Sequence, residues 1–186
     1  MRIKIKQLMA NRSVLAGAAN GSLLLSRLLS TVAEPNEPTA LYLDFAGVDV
    51  ATASFLRDGP LAYRQIVRSR VSNLYPVVAN PNDTVLQELR LFVESQRDAI
   101  LCCTLGAAET PSNVQLVGKL EEKHLLTFEL VRELGSADTA TIASNAIEKE
   151  VKPTAWNNRL AGLVQKGLLM EFQVGRTKRF SLVTSP

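Results

Sequence analysis

Cysteine, histidine and tryptophan are nearly missing from this chain of 186 residues, which holds two, one and one of them. The two cysteines, Cys102 and Cys103, are adjacent. Neighbours on a strand point to opposite faces, so they are poor partners for each other or for one metal. They read as small apolar residues of a reducing compartment. His124 stands alone, without a Cys or Ser partner pattern for nucleophilic catalysis, and no His/Cys/Asp cluster has metal-ligand spacing. Gly17 to Gly21 is followed by no lysine, so GAANGS is not a phosphate-cradling P-loop, and no strand–G-x-G-x-x-G–helix unit exists. Asp44 and Asp49 could form a carboxylate pair, but no basic cluster or second carboxylate motif accompanies them. Neither a cofactor nor enzymatic activity is expected.

Long hydrophobic runs are also absent. No stretch approaches the ~18–20 apolar residues of a membrane span, so no membrane partner is expected. The basic start MRIKIKQLMANR followed by VLAGAANGSLLLSRLLSTVA has the outline of an export signal, but Asn20, Gly21, Ser22 and Arg27 break its apolar core. The expected location is therefore cytoplasmic.

What is present is a charge distribution. Residues 1–12 carry four Lys/Arg and no acid, residues 13–151 carry eleven basic against seventeen acidic residues, and residues 152–186 carry six basic residues against Glu171 alone. A basic end on an acidic body points to an anionic partner for that end.

The first part of the chain alternates strand and helix patterns. Ile3 and Ile5 between Arg2, Lys4 and Lys6 suggest an edge strand over 1–8. Asn20-Gly21-Ser22 reads as a turn and cap before the helical SLLLSRLLSTVA. ALYLDFAGV is a strand buried on both faces. A helix is expected from Thr52–Ser54, with Ser54 as its N-cap, to be interrupted at Asp58-Gly59-Pro60 and to resume as LAYRQIVRSRV with its arginines outward. The strand NLYPVVAN, a helix DTVLQELRLFVESQRD capped by Asn82 or Asp83, and the strand AILCCTL follow. This order calls for a largely parallel sheet covered by helices over residues 1–107. The small, polar, proline-containing segment 108–119 reads as a linker.

From residue 120 to 186 the pattern changes. EEKHLLTFELVRELG is an amphipathic helix with Leu125, Phe128, Leu130, Val131 and Leu134 inward and Gly135 at its C-cap. TATIASNAI is a short helix. KPTAWNNRLAGLVQKG is a longer one, with Pro153 in its first turn and Trp156, Leu160, Leu163 and Val164 inward. Two strands around Gly175-Arg176-Thr177-Lys178 close the chain. Helix–helix–helix–hairpin in this length is the order of a winged helix-turn-helix. If the apolar residues hold the third helix down, Thr154, Asn157, Asn158, Arg159 and Gln165 lie on its outer side or margin. Asn reads adenine bidentately, Thr contacts a thymine methyl or a phosphate, and Arg176, Lys178 and Arg179 suit phosphates or the minor groove.

The run NNRLAGLVQKGLL followed by GRTKRFSL resembles the winged-helix domains of prokaryotic regulators, which implies double-stranded DNA as partner. LYLDFAGVDVATASFL, through Leu43-Asp44-Phe45, Gly47-Val48 and Ser54-Phe55, resembles the STAS domain, and more closely the STAS-like domains of prokaryotic proteins. That resemblance spans about 1–105 and implies a non-enzymatic docking surface for a protein partner, in some cases a kinase-like ATPase, at Asp49, Thr52 and Ser54. Where the phospho-switched members have Asp-Ser-Ser-Gly, this chain has Thr52-Ala53-Ser54-Phe55, which removes most of the switch. The expectation is an α/β STAS-like domain fused to a winged helix-turn-helix, acting as a DNA-binding transcriptional regulator and pairing as a homodimer. The alternative is a non-enzymatic subunit of a partner-switching or prokaryotic defence complex in which both domains bind protein.

Overall fold

A computed structural model describes residues 1–70, 72–148 and 151–184, and divides the chain into two compact units, residues 1–119 and 120–186. Each is described by itself.

The first unit begins with β1 (Arg2–Lys4), α1 (Ile5–Leu8), β2 (Val14–Leu15), α2 (Ala18–Thr31), β3 (Thr39–Asp44) and β4 (Val50–Ala51). It continues with α3 (Ala53–Leu56), a π-helical turn (Arg57–Leu61), α4 (Ala62–Ser69), β5 (Leu74–Ala79), α5 (Asp83–Ser95), β6 (Ala99–Leu105) and β7 (Pro111–Gly118). The main sheet has five strands in the order β1-β3-β5-β6-β7; the first four are parallel and β7 is antiparallel to β6. Because the parallel strands are added in one direction, right-handed crossovers place α2, α3–α4 and α5 on one face. The core lies there: Leu41, Leu43, Val78 and Cys102 from the sheet pack with Leu24, Leu28, Phe55, Val67, Leu89 and Val93 from the helices. The mostly parallel sheet with covering helices is thus as expected. A small parallel pair, β2 with β4, ties the loop after α1 to the loop after β3.

Five local expectations change. The first strand stops at Lys4, because Ile5 and Met9, four residues apart, are both buried, which is helical spacing. Gly21 lies inside α2 rather than in a turn before it, and a Cβ there would come 2.8 Å from the Phe55 carbonyl oxygen. Opposite it, Gly59 and Pro60 do not break the helix; the chain passes through them in a π turn, and the widened turn with its missing side chain lets α2 approach. The arginines of α4 are not all outward. Arg64 is buried, donating to the Ala99 carbonyl at 2.6 Å and to Asp98, while Arg68 stacks 3.9 Å from the centre of the Tyr75 ring. The helix ends at Ser69, and its expected last residue, Val71, lies outside the described residues. Finally, 108–119 is no linker: eight of its residues form β7. Ser112 to Gln115 are exposed and only Val117 reaches the core, so an edge strand carries the composition of a loop.

The second unit runs α6 (Glu122–Leu134), β8 (Ser136–Asp138), α7 (Thr139–Asn145), α8 (Pro153–Gln165), β9 (Leu169–Val174) and β10 (Thr177–Leu182). Its strands form an antiparallel sheet in the order β8-β10-β9. Phe128, Val131, Ile142, Trp156, Leu160, Leu163, Leu169 and Phe180 are among its buried apolar residues. In α6 the inner face is rotated from the expected one. Leu125 is 40% exposed while Thr127 is fully buried, its hydroxyl donating back to the Lys123 carbonyl at 2.7 Å. No described helix is long and apolar enough to cross a membrane.

Candidate nucleic-acid interface

Helix α8 is set by its own sequence. Pro153 occupies the first turn, where a missing N–H is no loss, and Trp156, Leu160 and Leu163 fix the inner side. What remains outward is a stripe with helical spacing: Thr154, Asn157, Asn158, Ala161 and Gln165, all exposed. No Asp or Glu occurs between Pro153 and Gln165. Helix α6 presents the opposite, with Glu121, Glu122 and Glu133 exposed at or beyond its start and along its length. The hydroxyl of Thr139, at the start of α7, donates to Asn157 Oδ1 at 3.0 Å and orients that amide.

Arg159 does not join this stripe. It is 8% exposed, with Nη1 2.5 Å from Glu148 Oε2 and its guanidinium 4.7 Å from the centre of the Trp156 ring. The hydrogen bond from Arg159 holds the Glu148 carboxyl below its usual range. Its expected place on the outer side is therefore corrected: it lies three residues after Trp156 and one before Leu160, on the inner seam, where ion pair and ring together compensate its burial.

The turn between β9 and β10 depends on Gly175 at φ +61°, a left-handed conformation that glycine adopts without strain. The Gln173 side chain donates to the Gly175 carbonyl at 3.1 Å. Arg176 projects from this turn, exposed and without an ion pair among the described residues. Lys178 is exposed, 2.7 Å from Glu171 Oε1 on the neighbouring strand, a surface pair that exchanges easily with other anions. Arg179 is half-buried and donates to the Ser136 carbonyl at 2.7 Å, so it braces β8 against β10 rather than standing at the tip. Asp138 on the same strand end caps α7 by accepting from the Thr141 N–H at 2.8 Å, and that bond lowers its carboxyl below the usual range. Of the eight residues expected to face DNA, six lie exposed on one helix stripe and one hairpin, and two are committed internally.

The first unit arranges its polar groups differently. Asp44 closes β3 and is 1% exposed. Arg2 donates to Asp44 Oδ2 through Nε and Nη2 at 2.9 and 2.7 Å, and the Ala46 N–H and Asn80 Nδ2 donate to Oδ1 at 3.0 and 2.8 Å. Burial pushes this carboxyl upward, but the four bonds and the Arg2 charge outweigh it and hold it below its usual range. Asn80, at φ +51°, also accepts from the Leu105 N–H and donates to the Leu105 carbonyl. The ends of β1, β3, β5 and β6 are thereby clipped together. Asp44 is a structural joint. Arg2 and Asn80 were not anticipated; only the turn signal of Asn80-Pro81 hinted at the latter.

In the adjoining loop Asp49 is exposed, its N–H bonded to Ser13 and its carbonyl to Asn82. Thr52, not Ser54, is the N-cap of α3: its hydroxyl accepts from Phe55 N at 3.5 Å and Gly17 N at 3.1 Å, while Glu88 accepts from Ala53 N at 3.0 Å. Ser54 is half-buried, 3.2 Å from the Thr52 hydroxyl. Cys102 and Cys103 are free and buried, and burial pushes their thiols up to about 12 and about 11, far from thiolate chemistry. His124 packs against Gly162 of α8, where a Cβ would come 2.8 Å from its Nε2. Among the described residues no group of three or more His, Cys, Asp or Glu could hold a metal ion. Compared with protein families, with curated proteins and with solved structures, the chain finds no match.

Proposed function

We propose that the chain is a non-enzymatic DNA-binding regulator. The second unit serves as a winged helix-turn-helix, with α8 as recognition helix and the β9–β10 hairpin as wing. The first serves as a STAS-like domain through which a protein partner or signal acts. The observation that carries this reading is the exposed, acid-free stripe of Thr154, Asn157, Asn158 and Gln165 in the same unit as a hairpin bearing exposed Arg176 and Lys178. Solvated helix faces are ordinarily rich in both signs of charge; a face of neutral donors and acceptors flanked by cations matches base edges flanked by phosphates.

Fluorescence anisotropy on duplex DNA across a salt series tests it. Each phosphate contact removed should lower the slope of log affinity against log salt by about one, so Arg176→Ala with Lys178→Ala should lower it by about two. Absence of binding at low salt, or an unchanged slope, overturns the reading.

The alternative, a protein-binding subunit, is favoured by one feature of the first unit. Val14 is exposed and pairs with Val50, next to the exposed Asp49, which gives the 46–54 loop an apolar neighbour suited to a protein surface. A stoichiometric partner retained through purification, together with no DNA binding, would select it.

A further inference from the structure

Beside β1 lies an open cavity of about 450 Å³ lined by Arg2, Ile3, Lys4, Gln7, Leu8 and Glu109. We propose that it binds a small molecule carrying a phosphate or carboxylate group. The volume lies within the range of ligand pockets. β1 is an edge strand, paired among the described residues only with β3. The Tyr42 N–H bonds the Met1 carbonyl in a parallel ladder whose register sets Arg2 opposite Tyr42. Alternate residues of a parallel strand turn their main-chain groups to opposite sides, so the N–H groups of Arg2 and Lys4 face away from β3, on the side of the free edge.

The side chains add to these donors. Asp44 holds Nε and Nη2 of Arg2, which fixes the guanidinium and leaves Nη1 as its third nitrogen, 3.9 Å from Glu109 Oε1 in the cavity wall. A guanidinium already held in place loses little freedom on meeting an anion. The Lys4 ammonium and the Gln7 carboxamide supply further donors, and Ile3 and Leu8 contribute apolar wall. Glu109 makes the cavity asymmetric. An anionic group belongs against Arg2, Lys4 and Gln7, and because Glu109 Oε1 is itself 3.9 Å from Arg2 Nη1, the same molecule needs a hydroxyl or ammonium to face that carboxylate.

Amide chemical-shift titration of the full chain with inorganic phosphate and with O-phosphoserine tests this, and does not depend on the DNA reading. Saturating shifts are expected at Arg2 to Leu8, with O-phosphoserine bound more tightly because its ammonium meets Glu109. Lys4→Ala, an exposed change, should weaken both probes about five- to tenfold. Glu109→Gln should tighten inorganic phosphate and remove the preference for O-phosphoserine. Arg176→Ala with Lys178→Ala should leave the β1 shifts unchanged, whatever it does to DNA. Non-saturating shifts, equal affinity in Lys4→Ala, or loss of the β1 shifts in the hairpin variant would overturn the proposal.

Discussion

Asp44 and Asn158 make the informative comparison within this molecule. Asp44 has the more reactive side chain and sits at the C-terminal end of a parallel strand, where α/β proteins commonly place ligands. Yet it is 1% exposed and accepts from Arg2, Ala46 and Asn80. Asn158 carries a neutral amide, but it is exposed on α8. What decides availability is whether a group's bonding capacity is used up out of solvent's reach, as it is for Asp44, or left open to solvent, as it is for Asn158. The same contrast recurs within the second unit between Arg159, buried against Glu148 and Trp156, and Arg176, exposed at a hairpin tip.

The strongest test of that contrast is to remove a committed group. Asp44→Ala strands the Arg2 guanidinium and the Asn80 amide and unclips four strand ends, and should destabilise the first unit by about 3–5 kcal/mol. Urea unfolding followed by far-UV circular dichroism measures this. The sole tryptophan, Trp156, is buried in the second unit, so its fluorescence reports that unit separately. If Asp44→Ala left stability intact, the joint would be no joint. Next in size is Arg159→Ala, which leaves Glu148 without its main partner and uncovers one face of Trp156. It should cost about 2 kcal/mol in the tryptophan-monitored transition.

Asn158→Ala is the converse. It should change stability by less than about 0.5 kcal/mol and weaken binding to a preferred duplex by about 1–3 kcal/mol, with little effect on non-specific DNA. Equal weakening on all sequences would make Asn158 a backbone contact instead. The pH dependence follows the same division. The Asp44 carboxyl is held below its unfolded value, so its stabilisation is complete above the unfolded pKa of about 3.9 and is lost as pH falls through the lower folded value. Acid unfolding of the first unit should therefore lie below about pH 4, and Asp44→Asn should flatten it there.

Which parts of this were legible in the sequence follows from burial. β5 and β6 read clearly because runs such as LYPVVA and AILCC are buried almost throughout, and α5 because Val85, Leu89 and Val93 repeat at helical spacing. β7 and β8 did not, since an edge strand needs only one buried face, and Ser112 to Gln115 have none. The stripe on α8 was legible because Trp156, Leu160 and Leu163 define its opposite side. At Arg159 charge and position disagree: the charge suggests the outer side, while the spacing 156-159-160-163 sets it on the inner seam. The partners of Asp44 could not be inferred, because Arg2 and Asn80 lie 42 and 36 residues away and meet it only through strand pairing.

The smallest effects separate Thr52 from Ser54. Thr52 caps α3 and also receives the Gly17 N–H, so Thr52→Ala should cost about 1 kcal/mol. Ser54 contributes one hydroxyl contact at 3.2 Å and should cost less than about 0.5 kcal/mol when replaced by alanine. The helix start is already occupied by the Glu88 carboxylate, which accepts from the Ala53 N–H. A second negative charge at Ser54 therefore meets repulsion where a helix N-terminus alone would have welcomed it. Ser54→Asp should consequently be less stable than Ser54→Ala, and Glu88→Gln should remove that difference in the same urea experiment. If Ser54→Asp proved the more stable of the two in the presence of Glu88, the loop would retain a working anion switch, and the first unit would not be a surface whose charge is internally committed.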